Sequence, residues 1–112
     1  MKPRIIRHPR TLEDIVEAYQ YIALESPYAS EEVAERFLDA VEETLAMLAA
    51  MPNMGRAWPS TQVVAGLRVF PVKGFERWFV FYTPLADGVH FRVLIHSARD
   101  LPHHLENFAE EE

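Results

Sequence analysis

Residues 67–97 read LRVFPV-KG-FERWFVFYTPLA-DG-VHFRVLIHS, and this stretch decides the fold. Its hydrophobic pattern has the period of 2 that is typical of β-strands. Lys73-Gly74 and Asp87-Gly88 interrupt the pattern and have the composition of hairpin turns. The stretch therefore predicts a meander of three antiparallel strands. Their expected ranges are Leu67–Val72, Glu76–Pro84 and Val89–Ser97.

The last predicted strand carries two different faces, because side chains two positions apart lie on the same side of a strand. The residues of the first face are Val89, Phe91, Val93 and Ile95, and those of the second are His90, Arg92, Leu94 and His96. We expect the first face to pack on helices. The cationic and titratable side chains of the second face must meet carboxylates or face a partner. The middle strand is apolar throughout residues 78–82, so we expect it to be central and covered on both sides.

Upstream of these strands the hydrophobic period changes to that of a helix. Apolar residues at positions 12, 15, 16, 19, 22 and 23 predict a first helix with one buried stripe. Two signals compete for its start. One is His8 before Pro9 in the first turn, and the other is Thr11 with Asp14 as a capping box.

A second, longer helix follows Ser26-Pro27, which offers a cap and a first-turn proline. Its apolar residues recur at spacings of three and four, and it extends over up to about 25 residues before Met51-Pro52. The short connection between the two helices predicts an antiparallel hairpin. The residues that we expect in the core are Val33, Phe37, Val41, Leu45, Leu48, Val80, Phe91, Val93 and Ile95.

The segment Lys2–His8 precedes the helices and reads as a short strand at or near a sheet edge. The predicted fold class is therefore α+β. An N-terminal strand is followed by an antiparallel helix hairpin and a three-stranded antiparallel meander, and the helices pack on one face of a four-stranded sheet. We expect residues 1–108 to form a single domain and residues 109–112 to form an acidic disordered tail.

Length and composition exclude several classes of protein. The chain has 112 residues, enough for one domain. No apolar run approaches the ~18 residues of a membrane span, and residues 1–10 lack the apolar stretch of a secretory signal, so a cytoplasmic protein without membrane contact is expected. The chain contains no Cys, which excludes disulfides, thiol nucleophiles and thiolate metal sites.

No pattern in the sequence predicts a cofactor, a metal site or a catalytic nucleophile. The chain lacks a P-loop, a dinucleotide-binding glycine pattern and H-E-x-x-H. His103 and His104 are adjacent and point in different directions, which argues against a metal site. No Ser lies in a nucleophile elbow. We therefore expect no cofactor and no metal.

Charge is divided unevenly along the chain. The net charge is −6, but residues 11–51 hold ten acidic residues and one basic residue, whereas residues 1–10 and 52–100 together have a net charge of +7. Nine of the 11 basic residues are Arg, whose planar guanidinium suits bidentate contacts. The basic part is therefore a candidate recognition surface.

Short motifs follow one another along most of the chain in a fixed order. They are Asp14-Ile15, Tyr19-x-Tyr21-Ile22-Ala23, Ser26-Pro27, Arg36–Leu45, Pro52–Arg56, Gly66–Val72, Phe79–Tyr82 and Arg92–Asp100. In this order and spacing they resemble toxins of the ParE branch of the RelE/ParE superfamily, which are also known as plasmid stabilisation proteins. The resemblance covers about residues 3–101.

The resemblance implies the toxin of a bacterial type II toxin–antitoxin module. Such a toxin binds a cognate antitoxin, compatible with a hetero-oligomer, and when free it inhibits DNA gyrase by direct association without being an enzyme. The antitoxin of such families lays a helix and an extended segment over the helices and the sheet edge of the toxin. We expect the target-binding residues of this chain to be Arg56, Arg68, Arg92, His96 and Arg99.

The charge of this chain departs from that of its relatives, which are usually basic. A net charge of −6 argues against direct nucleic-acid binding, because phosphate contacts rest on positive potential. The acidic helix hairpin also predicts that the contacting segment of the antitoxin carries several Lys or Arg residues.

The RelE-like branch, whose members are ribosome-dependent mRNA endonucleases, is an alternative. RNA cleavage of that kind needs cations at the phosphate and groups that move protons, and His96, Arg68, Arg92 and Arg99 would then be catalytic. RelE-like nucleases commonly place a Tyr or a further basic residue just beyond the last strand, where this chain has Asp100-Leu101-Pro102. A second alternative is a non-toxic protein-binding module.

Overall fold

The computed structural model describes residues 2–25, 30–58 and 66–96. In these residues a strand is followed by two helices and four further strands. The bounds are β1 Arg4–Arg7, α1 Arg10–Gln20, α2 Glu31–Ala50, β2 Arg56–Ala57, β3 Arg68–Val72, β4 Phe75–Leu85 and β5 Gly88–His96, with a π-helical segment, Tyr21–Glu25, directly after α1. The predicted α+β class is confirmed, with its N-terminal strand, helix hairpin and meander.

The strands form one mixed sheet in the order β1-β5-β4-β3-β2. β1 runs parallel to β5, and the other pairs are antiparallel. The sheet has one strand more than the four that we expected, because Arg56 and Ala57 pair with Val69 and Arg68. A strand of two residues is too short to produce a hydrophobic period, so the sequence gives no signal for it.

Gly88 allows β1 to lie against β5. A Cβ atom at this position would clash with the backbone carbonyl oxygen of Arg4. Arg4 also donates its backbone N–H to the carbonyl oxygen of Asp87 at 2.8 Å, and its guanidinium lies 3.3 Å from the Asp87 carboxylate. The Asp87-Gly88 turn therefore joins β4 to β5 and at the same time anchors the N-terminal strand.

A register shift between β4 and β5 reverses the predicted faces in the second half of β5. Phe81 pairs with Val93 and Tyr82 pairs with Phe91, so Arg92 is an extra residue that forms a β-bulge. Before the bulge, Val89 and Phe91 pack with the helix-side core as predicted. Beyond the bulge it is Leu94 that joins this core.

Val93 and Ile95 pack on the other face of the sheet, with Leu67, Val69 and Phe81. The prediction that they pack on the helices is wrong, because an inserted residue shifts the alternation by one position and exchanges the faces. Both residues are nevertheless buried, as predicted. The sheet thus has an apolar cluster on each face, in agreement with a central β4 covered on both sides.

The helix-side core is built mainly on α2. Phe37, Val41, Leu45 and Leu48 are buried as predicted, whereas Val33 is only half-buried at the first turns of the helix. Phe37 makes an edge-to-face contact with Phe75 of β4, with ring centroids 5.2 Å apart. This contact fixes α2 across the sheet.

The helix starts differ in part from the expected ones. His8 caps α1, because its Nδ1 accepts the N–H of Arg10 at 3.1 Å and its carbonyl accepts the N–H of Thr11 at 2.9 Å. The capping box of Thr11 and Asp14 is not formed, since the Thr11 hydroxyl donates to the His8 carbonyl instead. α2 begins after Ser30, whose hydroxyl accepts the N–H of Val33, and it spans 20 residues rather than about 25.

Several predictions fall outside the described residues. These are the position of Arg99 and the acidic tail of residues 109–112. The predicted cap of the second helix at Ser26-Pro27 is wrong, because Ser30 caps α2. Within the described ranges, no helix is long and apolar enough to cross a membrane.

Candidate functional site

A groove runs between α1 and the outer edge of β5. β1 ends at Arg7, which pairs with Phe91, so residues 93–96 of β5 continue beyond β1. The groove beside this edge has a volume of about 330 Å³. Its lining residues are Arg10, Glu13, Asp14, Glu17, Ala18, Tyr21, Trp78, Val93, Leu94, Ile95 and His96.

Asp14 joins α1 to the edge of β5. Its carboxylate Oδ2 accepts the backbone N–H of Leu94 at 3.0 Å, and its Oδ1 lies 3.8 Å from Nε of Arg10. Burial raises the pKa of Asp14 to about 6, although the Leu94 N–H and the Arg10 charge act in the opposite direction. The carboxylate therefore occupies a strand-edge donor that an added strand would otherwise use.

Three aromatic rings meet at the far end of the groove. The imidazole of His96 stacks on the indole of Trp78 with centroids 4.4 Å apart and an interplanar angle of 29°. Tyr21, from the π-helical segment, lies 6.3 Å from Trp78 and 5.6 Å from His96. The rings come from three separate elements, so the fold itself assembles this aromatic cluster.

Glu13 and Glu17 line the groove, are exposed and lie one helical turn apart on α1. Neither makes an ion pair with another residue of the described ranges. Glu42 on α2 behaves differently, since both its oxygens accept hydrogen bonds from Arg7, at 2.6 and 2.9 Å. The acidic surface is thus partly neutralised at α2 and left unpaired along the groove.

Of the residues expected to bind a target, Arg68 has a structural position. Its guanidinium donates to the carbonyl oxygen of Gly55 at 2.6 Å and to that of Asn53 at 3.3 Å. These bonds hold the loop that links α2 to β2. The guanidinium therefore stabilises the loop.

The same loop is held by a tyrosine that the sequence did not single out for this role. The hydroxyl of Tyr82 accepts the N–H of Gly55 and donates to the carbonyl of Pro52, both at 2.8 Å. A Cβ at Gly55 would lie 2.5 Å from that hydroxyl oxygen, which explains the glycine. Burial raises the pKa of Tyr82, so the hydroxyl stays protonated and keeps its donor.

The remaining candidates lie apart from one another. Arg92, in the bulge, donates from Nε to the hydroxyl of Thr83 at 3.3 Å. His96 lines the groove, which contains neither Arg68 nor Arg92. Arg56 is exposed in β2 and makes no ion pair within the described part of the chain.

Arg56 borders a second cavity, at the opposite edge of the sheet. This cavity has a volume of about 310 Å³. Apart from Arg56, it is lined by the apolar residues Met54, Val69, Phe70, Pro71 and Phe79. The two sheet edges therefore offer surfaces of different chemistry.

The sequence analysis missed Asp14, Glu13 and Glu17 as site residues. Asp14 had been assigned to a helix cap, and the glutamates belong to a general acidic surface. A signal does exist, because Asp14, Ala18 and Tyr21 have the i, i+4, i+7 spacing of one helix face. Within the described ranges, no group of three or more His, Asp or Glu side chains could hold a metal ion.

Comparisons with known proteins identify relatives of this fold. The family described as "ParE toxin of type II toxin-antitoxin system, parDE" matches residues 5–101. A solved structure, described as a chromosomal ParDE toxin–antitoxin system from P. aeruginosa, superposes with a TM-score of 0.64. It is 15% identical, and the similarity covers 86% of this chain and 97% of that chain. No curated protein sequence matches the chain.

Proposed function

This chain belongs to the ParE toxin family of type II toxin–antitoxin systems, and we propose that it is neutralised by a cognate antitoxin and, when free, inhibits DNA gyrase by direct binding. The observation that carries the proposal is the family match, which extends over both helices and the meander. The ParDE fold of the solved relative supports it at the level of architecture. Inhibition of this kind requires binding surfaces and no bond chemistry.

The antitoxin is proposed to bind in the groove between α1 and β5. Next to the groove, Leu12 and Val16 of α1 are 69% and 46% exposed, and they flank Glu13 and Glu17. An amphipathic segment could cover these apolar side chains with residues at i, i+3 or i+4 and i+7. The unpaired carboxylates favour Lys or Arg at the margins of that segment.

Arg56 is the residue best placed to contact the target. It is exposed, it borders an apolar cavity, and it lies at the sheet edge opposite the antitoxin groove. Arg68 and Arg92 use their guanidinium groups within the fold, on the loop carbonyls and on Thr83 respectively. We therefore assign contact with the target first to Arg56. His96 lines the groove, so it could contact only a target segment that enters the groove.

Two assays on the purified chain test the proposal. It should block the supercoiling activity of DNA gyrase and leave ribosome-bound mRNA intact, and the antitoxin should restore supercoiling. Arg56→Ala should weaken inhibition, whereas Arg36→Ala, an exposed change on α2, should not. Cleavage of mRNA without gyrase inhibition would instead identify an endonuclease, and inactivity in both assays would leave a protein-binding module.

A further inference from the structure

The groove between α1 and β5 combines an aromatic wall with negative charge. Trp78, His96 and Tyr21 place their ring centroids within 4.4–6.3 Å of one another. Aromatic faces attract cations through the negative potential of the ring, and Trp does so most strongly. The indole of Trp78 is stacked on His96 and also contacts Phe37, so the ring of Tyr21, which lines the same cavity of about 330 Å³, is the aromatic surface that can receive a positively charged group.

Carboxylates on α1 give the groove a charge of the complementary sign. Glu13 and Glu17 are spaced i, i+4, so their carboxylates are neighbours and repel each other. Neither has a cationic partner among the described residues. Arg10 forms its ion pair with Asp14, which lies between the two glutamates in the sequence. A cation that enters the groove would relieve this repulsion and at the same time lie near the aromatic rings.

We propose that this groove is a binding site for the guanidinium of an Arg side chain carried by a bound protein segment. The inference rests on the proposed function, since the antitoxin is the segment that it concerns, and it adds the chemistry of one anchor residue. A planar guanidinium can stack on the phenol ring of Tyr21 while its N–H groups donate to carboxylates, which the compact ammonium of Lys does less well.

Acidification should weaken this site. The pKa of Asp14 is raised to about 6, so its carboxylate loses its charge near that pH. The charged and titratable groups around it are Arg10, Glu13, Glu17 and Tyr21 on the helical side and His96 on β5. Protonation of Asp14 makes the groove less negative and therefore reduces its affinity for a cation.

The site can be tested on the full chain without any antitoxin or gyrase. N-acetyl-L-arginine amide is titrated against the protein at pH 7.5, and the indole N–H of Trp78 is followed by NMR after assignment with Trp58→Phe. N-acetyl-L-citrulline amide, which has nearly the same shape and no charge, is the matched ligand. We expect the arginine derivative to shift the Trp78 signal and the citrulline derivative to bind about three- to tenfold more weakly.

Two double variants test which carboxylates bind the arginine derivative. Glu13→Gln with Glu17→Gln should reduce the affinity for the arginine derivative by about three- to tenfold and remove the preference over citrulline. Glu35→Gln with Asp39→Asn makes the same charge change on an exposed face of α2 and should leave the affinity unchanged. Equal effects of the two pairs, or equal binding of the two ligands, would overturn the assignment.

The antitoxin provides the second arm of the experiment. If the groove variant loses affinity for the arginine derivative and the antitoxin together, the anchor is confirmed. If the antitoxin binds and neutralises the groove variant with unchanged affinity, the Arg site is wrong while the proposed function stands. If the wild-type chain binds the arginine derivative but no antitoxin, the site stands and the proposed function fails.

Discussion

The two edges of the sheet are protected by different means, and they present different chemistry to partners. At the β5 edge, the Asp14 carboxylate occupies the Leu94 N–H and leaves an acidic, aromatic groove. At the β3 edge, the two residues of β2 pair with the start of β3. Further along β3, Pro71 has no N–H that an added strand could use. Both devices discourage strand addition. Partners are therefore expected to bind through side chains.

The surfaces at the two edges also differ in charge. The groove is lined by three carboxylates and one guanidinium, whereas the cavity at β3 is apolar with Arg56 at its border. A segment that fits one surface is poorly matched to the other, because like charges brought together cost binding energy. Under the proposed function, we expect the antitoxin and the target to bind at opposite edges of the sheet.

The most damaging change should affect both edges at once. Phe37 is fully buried and contacts Phe75 and Trp78, so it supports β4 between the two edges. Phe37→Ala should lower the free energy of unfolding by about 3–5 kcal/mol, through lost burial and a residual cavity. Urea denaturation followed by circular dichroism measures this loss. A loss below about 1 kcal/mol would contradict a core shared by both edges, and Leu24→Ala, at an exposed position, is the control.

A change at Asp14 should affect the acidic edge alone and depend on pH. Since its pKa is raised from 3.8 to about 6, the folded state binds a proton more tightly than the unfolded state, and Asp14 lowers stability as pH rises through this window. The window of two pKa units corresponds to at most about 3 kcal/mol. Asp14→Asn keeps an acceptor for Leu94 and should flatten the stability profile between pH 4 and 6.

The stability of the variant relative to the wild type should differ between pH 7 and pH 4. At pH 7 the Asn variant should be at least as stable as the wild type, and at pH 4 the two should agree. Thermal unfolding across this pH range measures both values. A variant that is destabilised at pH 7 would show that the ionised carboxylate contributes net stability through Leu94 and Arg10.

At the opposite edge, the hydroxyl of Tyr82 holds the loop that leads into β2. Tyr82→Phe removes the partner of the Gly55 N–H and of the Pro52 carbonyl, so we expect a loss of about 2 kcal/mol in the free energy of unfolding. Hydrogen exchange should rise at Gly55 and leave the Leu94 amide unchanged. Equal loss of protection at both amides would show that the two edges are not independent.

The sequence predicted the elements because their hydrophobic patterns are long. The periods of α2 and of the meander extend over many residues, and the α+β class follows from their order. The prediction for Val93 and Ile95 was wrong because of the bulge at Arg92. One inserted residue exchanges the two faces of the strand and leaves its composition unchanged. Alternation in a single strand carries no information about its neighbour's register.

The candidate site was less predictable than the fold, because it depends on contacts between distant residues. Residue type alone suggested the same role for Arg56 and Arg68. Only the tertiary structure shows that Arg68 binds loop carbonyls and that Arg56 makes no ion pair within the described residues. The groove likewise requires Asp14 and Leu94, which are 80 residues apart, to meet.

These two arginines provide the prediction with the smallest expected effect on stability. Arg68→Gln should cost about 1–1.5 kcal/mol, because two carbonyl oxygens of the loop lose a charged donor that a shorter neutral side chain cannot replace. Arg56→Gln should change stability by no more than about 0.5 kcal/mol, as expected of an exposed side chain without an ion pair. Function should show the reverse order. Arg56→Gln is expected to weaken gyrase inhibition while antitoxin affinity stays constant, since the groove lies at the other edge. If instead Arg56→Gln destabilises the chain as much as Arg68→Gln does, its guanidinium has a structural partner and the β3 edge is not a free surface.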